Sequence, residues 1–150
     1  MKRIKLTRGF YAFVDEEDFK FLNQFKWLCR LSRHKIYAIR SDGILMHRAI
    51  LNVPPGRQTD HINGNGLDNQ RMNLRICTLC ENQFNRGKQI NNTSGYKGVR
   101  AKRKNWRAGI GYMGKWIELG TYNSPIDAAR AYDEAAKKYH GGFAKINFPE

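Results

Sequence analysis

The sequence contains little of what marks a secreted or membrane-bound protein. It has three cysteines and four prolines in 150 residues, and a small, odd number of cysteines does not suggest a disulfide framework. No apolar run approaches the length of a membrane span. The N-terminal stretch MKRIKLTRGF lacks the apolar block of a signal peptide. We therefore expect a soluble, reduced, cytoplasmic protein.

Acidic residues are also scarce, and the resulting charge is the strongest signal in the composition. The chain carries 27 Lys and Arg against 13 Asp and Glu, which gives a net charge of +14. Such an excess predicts attraction to polyanions. Nucleic acid is the expected partner, and a membrane surface is the weaker alternative because no basic amphipathic helix is visible. The excess lies in two lobes, 1–60 and 94–150, which flank a nearly neutral middle segment, 61–93.

Hydrophobic spacing in the first lobe predicts short strands and one short helix. FYAFVD (10–15) and KIYAIR (35–40) predict strands, and GILMHRAIL (43–51) predicts a strand or a strand that runs into a helical turn. The apolar residues of EEDFKFLNQFKW (16–27) recur at helical spacing. We expect this lobe to combine strands with helix.

The middle segment has the pattern of a strand, a polar loop, a second strand and a helix. Its first strand ends at the Asp-His pair of TDHINGNGLDNQRMNLR (59–75), and MNLRIC (72–77) predicts the second strand. Thr78 and Glu81 have the spacing of a capping box, which predicts a helix from about Leu79.

This arrangement suits the chemistry of a bound divalent cation. Asp60 and the side-chain carbonyl of Asn82, one turn into the helix, could supply two hard oxygen ligands and leave other positions open. The ordinary pKa of a histidine side chain lies near neutrality, so His61 is suited to take a proton from water at neutral pH. Adjacent strand residues point to opposite faces, so Asp60 and His61 can share one site only if the strand ends there or if the metal-bound phosphate lies over the strand edge. The Asn- and Gly-rich loop that follows favours the first condition. The residues fit metal-dependent hydrolysis of a phosphodiester.

The stretch DHINGN…LDNQRMNLRICTLCENQFN resembles the HNH endonuclease motif, in its phage-type, intron-homing branch. The resemblance covers residues 1–93 and implies a ββα-metal core at about 57–88, in which two strands and a helix surround one metal ion. It implies Asp60 and Asn82 as metal ligands and His61 as the general base.

The same resemblance assigns further residues. Asn73 matches the middle Asn of the motif, which ties the loop together and helps orient the His. The third motif letter is Asn82 rather than His, which suits Mg²⁺ or Mn²⁺ better than Zn²⁺. Arg86 stands where many members have a second helix His, which implies a possible phosphate contact instead of a ligand. His47 matches a recurrent His-Arg pair, and we expect it to pack behind the site.

Other titratable residues give no second site. Cys77 and Cys80 form a lone Cys-x-x-Cys, whereas a structural zinc site normally has four ligands. Only Cys29 remains, so we favour buried thiols, and whether the pair binds a metal stays open. His34 and His140 have no motif partners nearby and are expected at the surface.

The second lobe predicts three strands and a helix: YKGVRAK, NWRAGIGY and KWIELGTY, then SPIDAARAYDEAAKKYHGG. Ser124 before Pro125 predicts the start of the helix, and the pair Gly141-Gly142 predicts its end. One helix can cover only one face of such a sheet. The cations of YKGVRAKRKNW would then lie on an uncovered face, as in a protein that reads the major groove.

Residues 94–150 closely resemble the DNA-binding domain of plant ethylene-response factors, which also occurs fused to phage and bacterial HNH nucleases. This implies a three-stranded antiparallel sheet packed on one helix. Gly109, Gly111 and Glu118 replace contact residues of that family, so the plant target sequence should not carry over. From the charge run and the resemblance together, the expected DNA-binding residues are Lys97, Arg100, Lys102, Lys104, Arg107, Trp116, Thr121 and Tyr132.

The expected protein is therefore a two-part α+β protein, with an HNH nuclease domain at 1–93 and a DNA-binding domain at 94–150. We expect a site-directed, homing-type DNA endonuclease that uses one Mg²⁺ or Mn²⁺ ion and nicks double-stranded DNA as a monomer, in a bacterial or phage-infected cell. No obligate protein partner is implied. The alternative is a non-cleaving sequence-specific DNA-binding regulator; an RNA-binding protein is disfavoured because no single-strand-binding motif is present.

Overall fold

The computed structural model describes residues 1–32 and 35–149, which form a mixed α+β structure with small antiparallel sheets. This confirms the α+β class. The expected surface position of His34 lies outside the described residues. Contacts divide the chain into two units, Met1–Asn82 and Gln83–Glu150. The domain boundary predicted at 93/94 stays a prediction.

The first unit consists of three antiparallel strand pairs and short helices. In chain order its elements are β1 Lys2–Lys5, β2 Tyr11–Val14, α1 Glu16–Leu22, β3 Leu28–Ser32, β4 Lys35–Ile39, α2 Met46–Leu51, β5 Gln58–His61 and β6 Leu74–Cys77. Helix α3, Leu79–Phe84, begins in this unit and ends two residues past its last residue, Asn82. The pairs are β1 with β2, β3 with β4, and β5 with β6.

The core of the first unit is built on one side of these pairs. Residues Ala12 and Val14 are buried on β2 while their neighbours are not, because strand side chains alternate between faces. Trp27 is 2% exposed, and its indole nitrogen donates to the Leu22 carbonyl at 2.8 Å, so its one polar atom is satisfied. Full burial of a large apolar side chain contributes about 1.5–3 kcal/mol. The same cluster of buried apolar side chains includes Leu74 of β6, so the β5–β6 hairpin packs on this core.

Two elements of the first unit differ from the sequence-based prediction. The helix expected within 16–27 ends at Leu22, because the chain must turn there to bring Trp27 into the core. The segment 43–51 forms a bridge between Leu45 and Ile39 and then a helix, so its second predicted form is confirmed. A short 3-10 turn, Arg71–Asn73, takes the start of the second predicted strand of the middle segment.

The second unit is a three-stranded antiparallel sheet packed on one helix. Its elements are β7 Val99–Lys102, β8 Asn105–Tyr112, β9 Lys115–Tyr122 and α4 Pro125–His140, with strand order β7-β8-β9. The Ser124 hydroxyl accepts from the backbone of Ile126 at 3.1 Å, as predicted for the helix start.

Small residues allow α4 to lie close on the sheet. The buried face of the helix includes Ala128, Ala129, Ala135 and Ala136. Gly98 is required at its position because a Cβ atom there would lie 1.9 Å from the Tyr132 ring. Within residues 1–32 and 35–149, no helix combines the length and the apolar character needed to cross a membrane.

Candidate functional site

The β5–β6 hairpin carries the Asp-His pair. Asp60 is paired with Arg75 across the hairpin and His61 with Leu74, and β5 ends at His61. Because side chains alternate along a strand, Asp60 lies on one face of the hairpin together with Gln58, while His61 lies on the other. The strand end at His61 is the condition under which the two residues can serve one site.

The Asp60 face collects polar groups from three elements. Asp60 is 3% exposed, and its Oδ2 accepts from Arg75 Nη2 at 2.6 Å and Nε at 2.9 Å. On α3, Asn82 Nδ2 donates to Gln58 Oε1 at 2.7 Å. Since Gln58 shares the face of Asp60, the structure brings Asp60 and Asn82 to the same side of the hairpin. The amide nitrogen of Asn82 makes this bond, and its oxygen is the atom that a metal ion would take.

The position of Asn82 follows from the local start of α3. Thr78 donates from its backbone to Glu81 Oε2 at 2.7 Å, and Glu81 donates back to Thr78 Oγ1 at 3.2 Å. This reciprocal pair is the predicted capping box. These bonds hold the pKa of the Glu81 carboxyl below its usual value, because they favour the ionised form. The fixed start sets Asn82 one turn into the helix.

The His61 face is aromatic and buried. The His61 ring is 4% exposed and lies with its centroid 4.9 Å from His47 and 5.9 Å from Tyr37. His47 therefore packs against the site, as expected. Burial lowers the pKa of His61, and it lowers the pKa of His47 to about 3. Both rings are neutral at neutral pH, and a neutral imidazole is the form that can accept a proton.

The loop between the strands is tied to Asn73. Its Nδ2 donates to the Asp68 carbonyl at 2.8 Å and to Asn63 Oδ1 at 3.1 Å, and its Oδ1 accepts from the Asn63 backbone at 3.0 Å. The Ile62 backbone donates to the Asn73 carbonyl at 2.9 Å. This geometry has the form that the predicted role of Asn73 requires, and that role stays a prediction.

The donor atoms at the hairpin fit an oxygen-preferring cation better than zinc. A carboxylate and an amide oxygen are ligands for Mg²⁺ or Mn²⁺. Among the residues that the structure describes, no three His, Cys, Asp or Glu side chains converge on a metal position. Cys77 is buried, and burial raises the pKa of its thiol, so it stays protonated. Cys80 is exposed, so the expectation of a buried thiol is wrong for it.

Three residues of this site were not found from the sequence: Arg75, Gln58 and Asn69. The hairpin register would have predicted Arg75, because it places a cation directly opposite Asp60. Asn69 is fully buried with its Oδ1 at 3.3 Å from His61 Nε2. No local pattern distinguishes it from the other Asn residues of the loop.

The second unit has an open sheet face on the side away from α4. Arg100 on β7 pairs with Arg107 on β8, which pairs with Thr121 on β9, and all three are exposed. The Arg100 guanidinium lies over the Trp116 ring at 5.1 Å from its centroid. The ring also lies close to Gly109, where a Cβ atom would be 2.3 Å from the indole. Gly109 thus makes room for a stacked Arg–Trp pair on the open face.

Other predicted DNA-binding residues divide into two groups. Lys102 and Lys104 are exposed at the β7–β8 turn, together with Arg103. Arg107 is exposed too, but it forms a bidentate ion pair with Glu118 and would have to share it with a phosphate. Solvent screens an exposed pair of this kind, so a phosphate can compete with Glu118 for the guanidinium.

Tyr132 is buried instead, and Lys97 is half-buried. Tyr132 is 2% exposed, and Lys97 Nζ donates to the Phe84 carbonyl at 2.6 Å. Burial lowers the pKa of Lys97 to about 8. A DNA contact by Lys97 would require it to leave this partner. Arg86 is exposed just after α3, in the unit that begins at Gln83.

The expected surface position of His140 is wrong. His140 is 7% exposed, its ring stacks on Phe84 with centroids 3.8 Å apart, and its Nε2 donates to the Gly111 carbonyl at 3.0 Å. The stacking partner is distant in sequence, so helix periodicity alone could not reveal it.

Comparison with known proteins adds relatives of two kinds. No protein-family model matches the chain. The chain is 28% identical over 147 residues to an uncharacterized HNH endonuclease of Acanthamoeba polyphaga mimivirus, covering 93% of this chain and 76% of that protein. It is 33% identical over 96 residues to Protein 3.8 of Escherichia phage T7, covering 63% of this chain and 78% of that protein.

The second kind of relative is a plant protein. An ethylene-responsive transcription factor of Arabidopsis thaliana is 44% identical to the chain over 69 residues, which is 43% of this chain and 15% of the factor. The chain thus spans only a small part of that plant protein.

Proposed function

The chain belongs to the family of Protein 3.8 of Escherichia phage T7, and from this premise we propose that it is a metal-dependent, homing-type HNH DNA endonuclease that nicks as a monomer. The observation that carries the proposal is the β5–β6 hairpin, which brings the oxygen donors Asp60 and Asn82 to one face and ends at the neutral His61. Similarity to the mimivirus HNH endonuclease supports the same activity.

In this proposal His61 is the general base. A water molecule loses a proton to the His61 imidazole as its oxygen attacks the phosphorus atom of the DNA backbone. The bond between phosphorus and the leaving oxygen then breaks, and that oxygen takes a proton from solvent. The lowered pKa of His61 favours this role, because a base must be unprotonated before the reaction.

The Asp60 face is proposed to stabilise the negative charge that develops on the phosphate oxygens in this step. Asp60 and Asn82 would hold one Mg²⁺ or Mn²⁺ ion, which stabilises negative charge on the phosphate oxygens when bound. Arg75 fixes the Asp60 carboxylate through two hydrogen bonds, so the ligand is already oriented. Asn73 holds the loop that follows His61.

The second unit is proposed to choose the DNA sequence. Its open face presents Arg100, Trp116 and Thr121, and its β7–β8 turn presents Lys102 and Lys104. Similarity to the plant transcription factor supports double-stranded DNA as the partner and an ethylene-response-factor-type domain at 94–150, joined to a nuclease domain at 1–93. In this proposal the β5–β6 hairpin hydrolyses the phosphodiester bond, and the sheet of the second unit recognises the DNA sequence.

Plasmid cleavage tests the proposal. Supercoiled plasmids that carry a genomic library are incubated with the full chain and Mg²⁺, Mn²⁺, Zn²⁺ or EDTA, and the breaks are mapped. Site-directed nicks with Mg²⁺ or Mn²⁺, absent with EDTA and with His61→Ala, are the expected result. Retarded DNA without breaks under every metal would instead indicate the non-cleaving regulator.

A further inference from the structure

Asn69 is the most deeply buried polar side chain beside the proposed base. It is 0% exposed, and its Oδ1 lies 3.3 Å from His61 Nε2. Its Nδ2 is buried and has no hydrogen-bond partner among the residues that the structure describes. An unpaired buried amide nitrogen is unfavourable, so burial of this side chain for packing alone has no evident benefit. Among the described residues, the hydrogen-bond partner of the Asn69 side chain is the His61 ring, through Asn69 Oδ1.

The backbone of Asn69 is held from the opposite side by the N-terminal strand. The Asn69 backbone donates to the Phe13 carbonyl at 2.8 Å, and the Phe13 backbone donates to the Leu67 carbonyl at 2.8 Å. Strand β2 therefore hydrogen-bonds to the loop at the residues before and after Asp68. The backbone from which the Asn69 side chain extends is therefore fixed by contacts that do not involve His61.

The residues that follow Asn69 add to this anchor. Asp15 accepts from Gln70 Nε2 at 3.1 Å and from the Arg71 backbone at 2.8 Å. Arg71 also donates to both carboxylate oxygens of Asp18, at 2.9 and 2.7 Å. The two acidic residues at the start of α1 thus hold the segment that carries Asn69.

The chemistry of this contact determines which ring nitrogen of His61 carries the hydrogen. An amide oxygen can only accept, so the Nε2 that faces it must be the protonated nitrogen, and Nδ1 then keeps the lone pair. We propose that Asn69 is a positioning residue that holds His61 in its Nε2–H tautomer and thereby makes Nδ1 the atom that takes the proton from water. This inference rests on the nuclease activity proposed above.

Removal of the accepting oxygen is the direct test. Asn69→Leu keeps a similar volume, and it should lower kcat for nicking about 10- to 100-fold, as loss of a side chain that orients a functional histidine does. KM for DNA should change little, because Asn69 is buried and does not face the substrate. Asn69→Asp keeps an oxygen facing Nε2–H and should restore part of the rate.

A neighbouring amide provides the matched control. Gln70→Leu removes the side-chain hydrogen bond to Asp15 that anchors the same loop. Its effect on kcat reports what loosening the loop does by itself. Thermal unfolding of each variant shows which have folded, and if Asn69→Leu has not, Asn69→Ser replaces it, since its short hydroxyl cannot reach Nε2.

A second readout needs neither metal nor DNA. In the full chain with ¹⁵N-labelled histidines, His61→Gln assigns the His61 ring signals at neutral pH. The wild-type ring should show a protonated Nε2 and an unprotonated Nδ1, and Asn69→Leu should shift both signals towards the average of two tautomers. A wild-type ring protonated on Nδ1, or an Asn69→Leu variant with unchanged His61 signals or with the kcat loss of Gln70→Leu, would overturn the inference.

The two readouts separate this inference from the proposed function. A wild-type chain that shows the Nε2–H tautomer but nicks no DNA removes the nuclease proposal, and the catalytic role of Asn69 with it. A chain that nicks DNA but carries His61 in the other tautomer removes the role of Asn69 alone.

Discussion

The polar side chains of the β5–β6 hairpin and those of the open sheet face in the second unit are arranged in opposite ways. On the hairpin, Asp60 and His61 are buried and each is held by named partners. On the sheet, the cations are exposed, and the Arg100 guanidinium lies over the Trp116 ring. A reacting group must be fixed before the substrate arrives, whereas a recognition surface must remain accessible.

This contrast predicts that hairpin substitutions change the rate of cleavage while sheet substitutions change the affinity for DNA. The largest effect is expected at the proposed metal ligands. Asp60→Asn and Asn82→Ala should each abolish Mg²⁺- and Mn²⁺-dependent nicking, because the first removes the negative charge of a ligand and the second removes an oxygen donor for the cation. Gel assays of nicking and of DNA retardation measure rate and affinity on the same sample.

Loss of Asp60 also leaves Arg75 without its carboxylate, so a matched ion pair is needed as a control. Asp18 is buried and paired with Arg71 in the same unit. Asp18→Asn should lower stability and slow nicking, because Asp18 anchors the segment that carries Asn69, but the remaining nicking should still depend on Mg²⁺ or Mn²⁺. Nicking by Asp60→Asn at the wild-type rate, or activity that requires Zn²⁺ and disappears when Cys77 is replaced, would contradict the ligand assignment.

The next effect in size is expected at the base. His61→Ala should lower the nicking rate by roughly two to four orders of magnitude, the range for removal of a general base. DNA affinity should remain near that of the wild type, because His61 is buried. Single-turnover kinetics with bound DNA provide the measurement. If His61→Ala binds DNA far more weakly and nicks at full rate once saturated, the hairpin belongs to recognition.

Buried His47, on α2 against the hairpin, should also make the first unit sensitive to acid. His47 has a pKa of about 3 in the folded chain and a usual value of 6.5. Because folding lowers this pKa, the unfolded chain binds more protons, and stability is lost as pH falls below about 6.5. The loss should be roughly 2 kcal/mol by pH 5, at about 1.36 kcal/mol per pH unit.

Native-state hydrogen exchange measures this loss of stability separately for each of the two units. Amides of α2 and of the hairpin should open more readily at pH 5 than at pH 7, after correction for intrinsic exchange. In His47→Leu this difference should shrink, because the titrating group is gone. An equal pH response of these amides in the variant and the wild type would assign the acid sensitivity to other residues.

On the sheet, substitution of Arg100 should weaken binding and relax the choice of sequence. If the guanidinium grips a base bidentately, Arg100→Ala should cost about 1–3 kcal/mol of binding and lose preference at one position. Titrations on the mapped site and a scrambled site provide the comparison. Equal losses on both sites would show that Arg100 contacts phosphate and not a base.

The smallest effect is expected at the turn. Lys104→Ala should weaken binding to all sequences alike and lower the slope of log affinity against log salt by about 0.9, the value for one phosphate contact. Binding isotherms at several salt concentrations measure the slope. An altered sequence preference in Lys104→Ala would show that the β7–β8 turn, and not only the strands, takes part in base recognition.

The sequence predicted what depends on local spacing and missed what depends on distant contacts. The capping box of Thr78 and Glu81 and the start of α4 at Ser124 were predicted because their partners lie within a few residues. His140 was misplaced because its stacking partner, Phe84, comes from another part of the chain. Asn69 was missed for the same reason, since its backbone is held by β2, which is distant in sequence.

The site shows the same division. Asp60, His61 and Asn82 could be selected by residue type and spacing along one strand–loop–strand–helix segment. Arg75 requires the strand register, which depends on the loop as it folds. Lys97 was assigned to DNA by the charge run and the family resemblance, and that role stays a prediction; in the structure its ammonium donates to the Phe84 carbonyl. Residue type does not specify whether a long side chain extends into solvent or folds back.

The placement of the tryptophans gives the chain its own optical probe. Trp27 is 2% exposed, Trp106 packs partly against the α4 side of the sheet, and Trp116 is 52% exposed on the open face beneath Arg100. Indole emission depends on solvent and on stacked neighbours, so a ligand that covers the open face should change the light from Trp116 and leave that from Trp27 nearly constant. DNA that reaches this face would thus be detectable by intrinsic fluorescence, without a label.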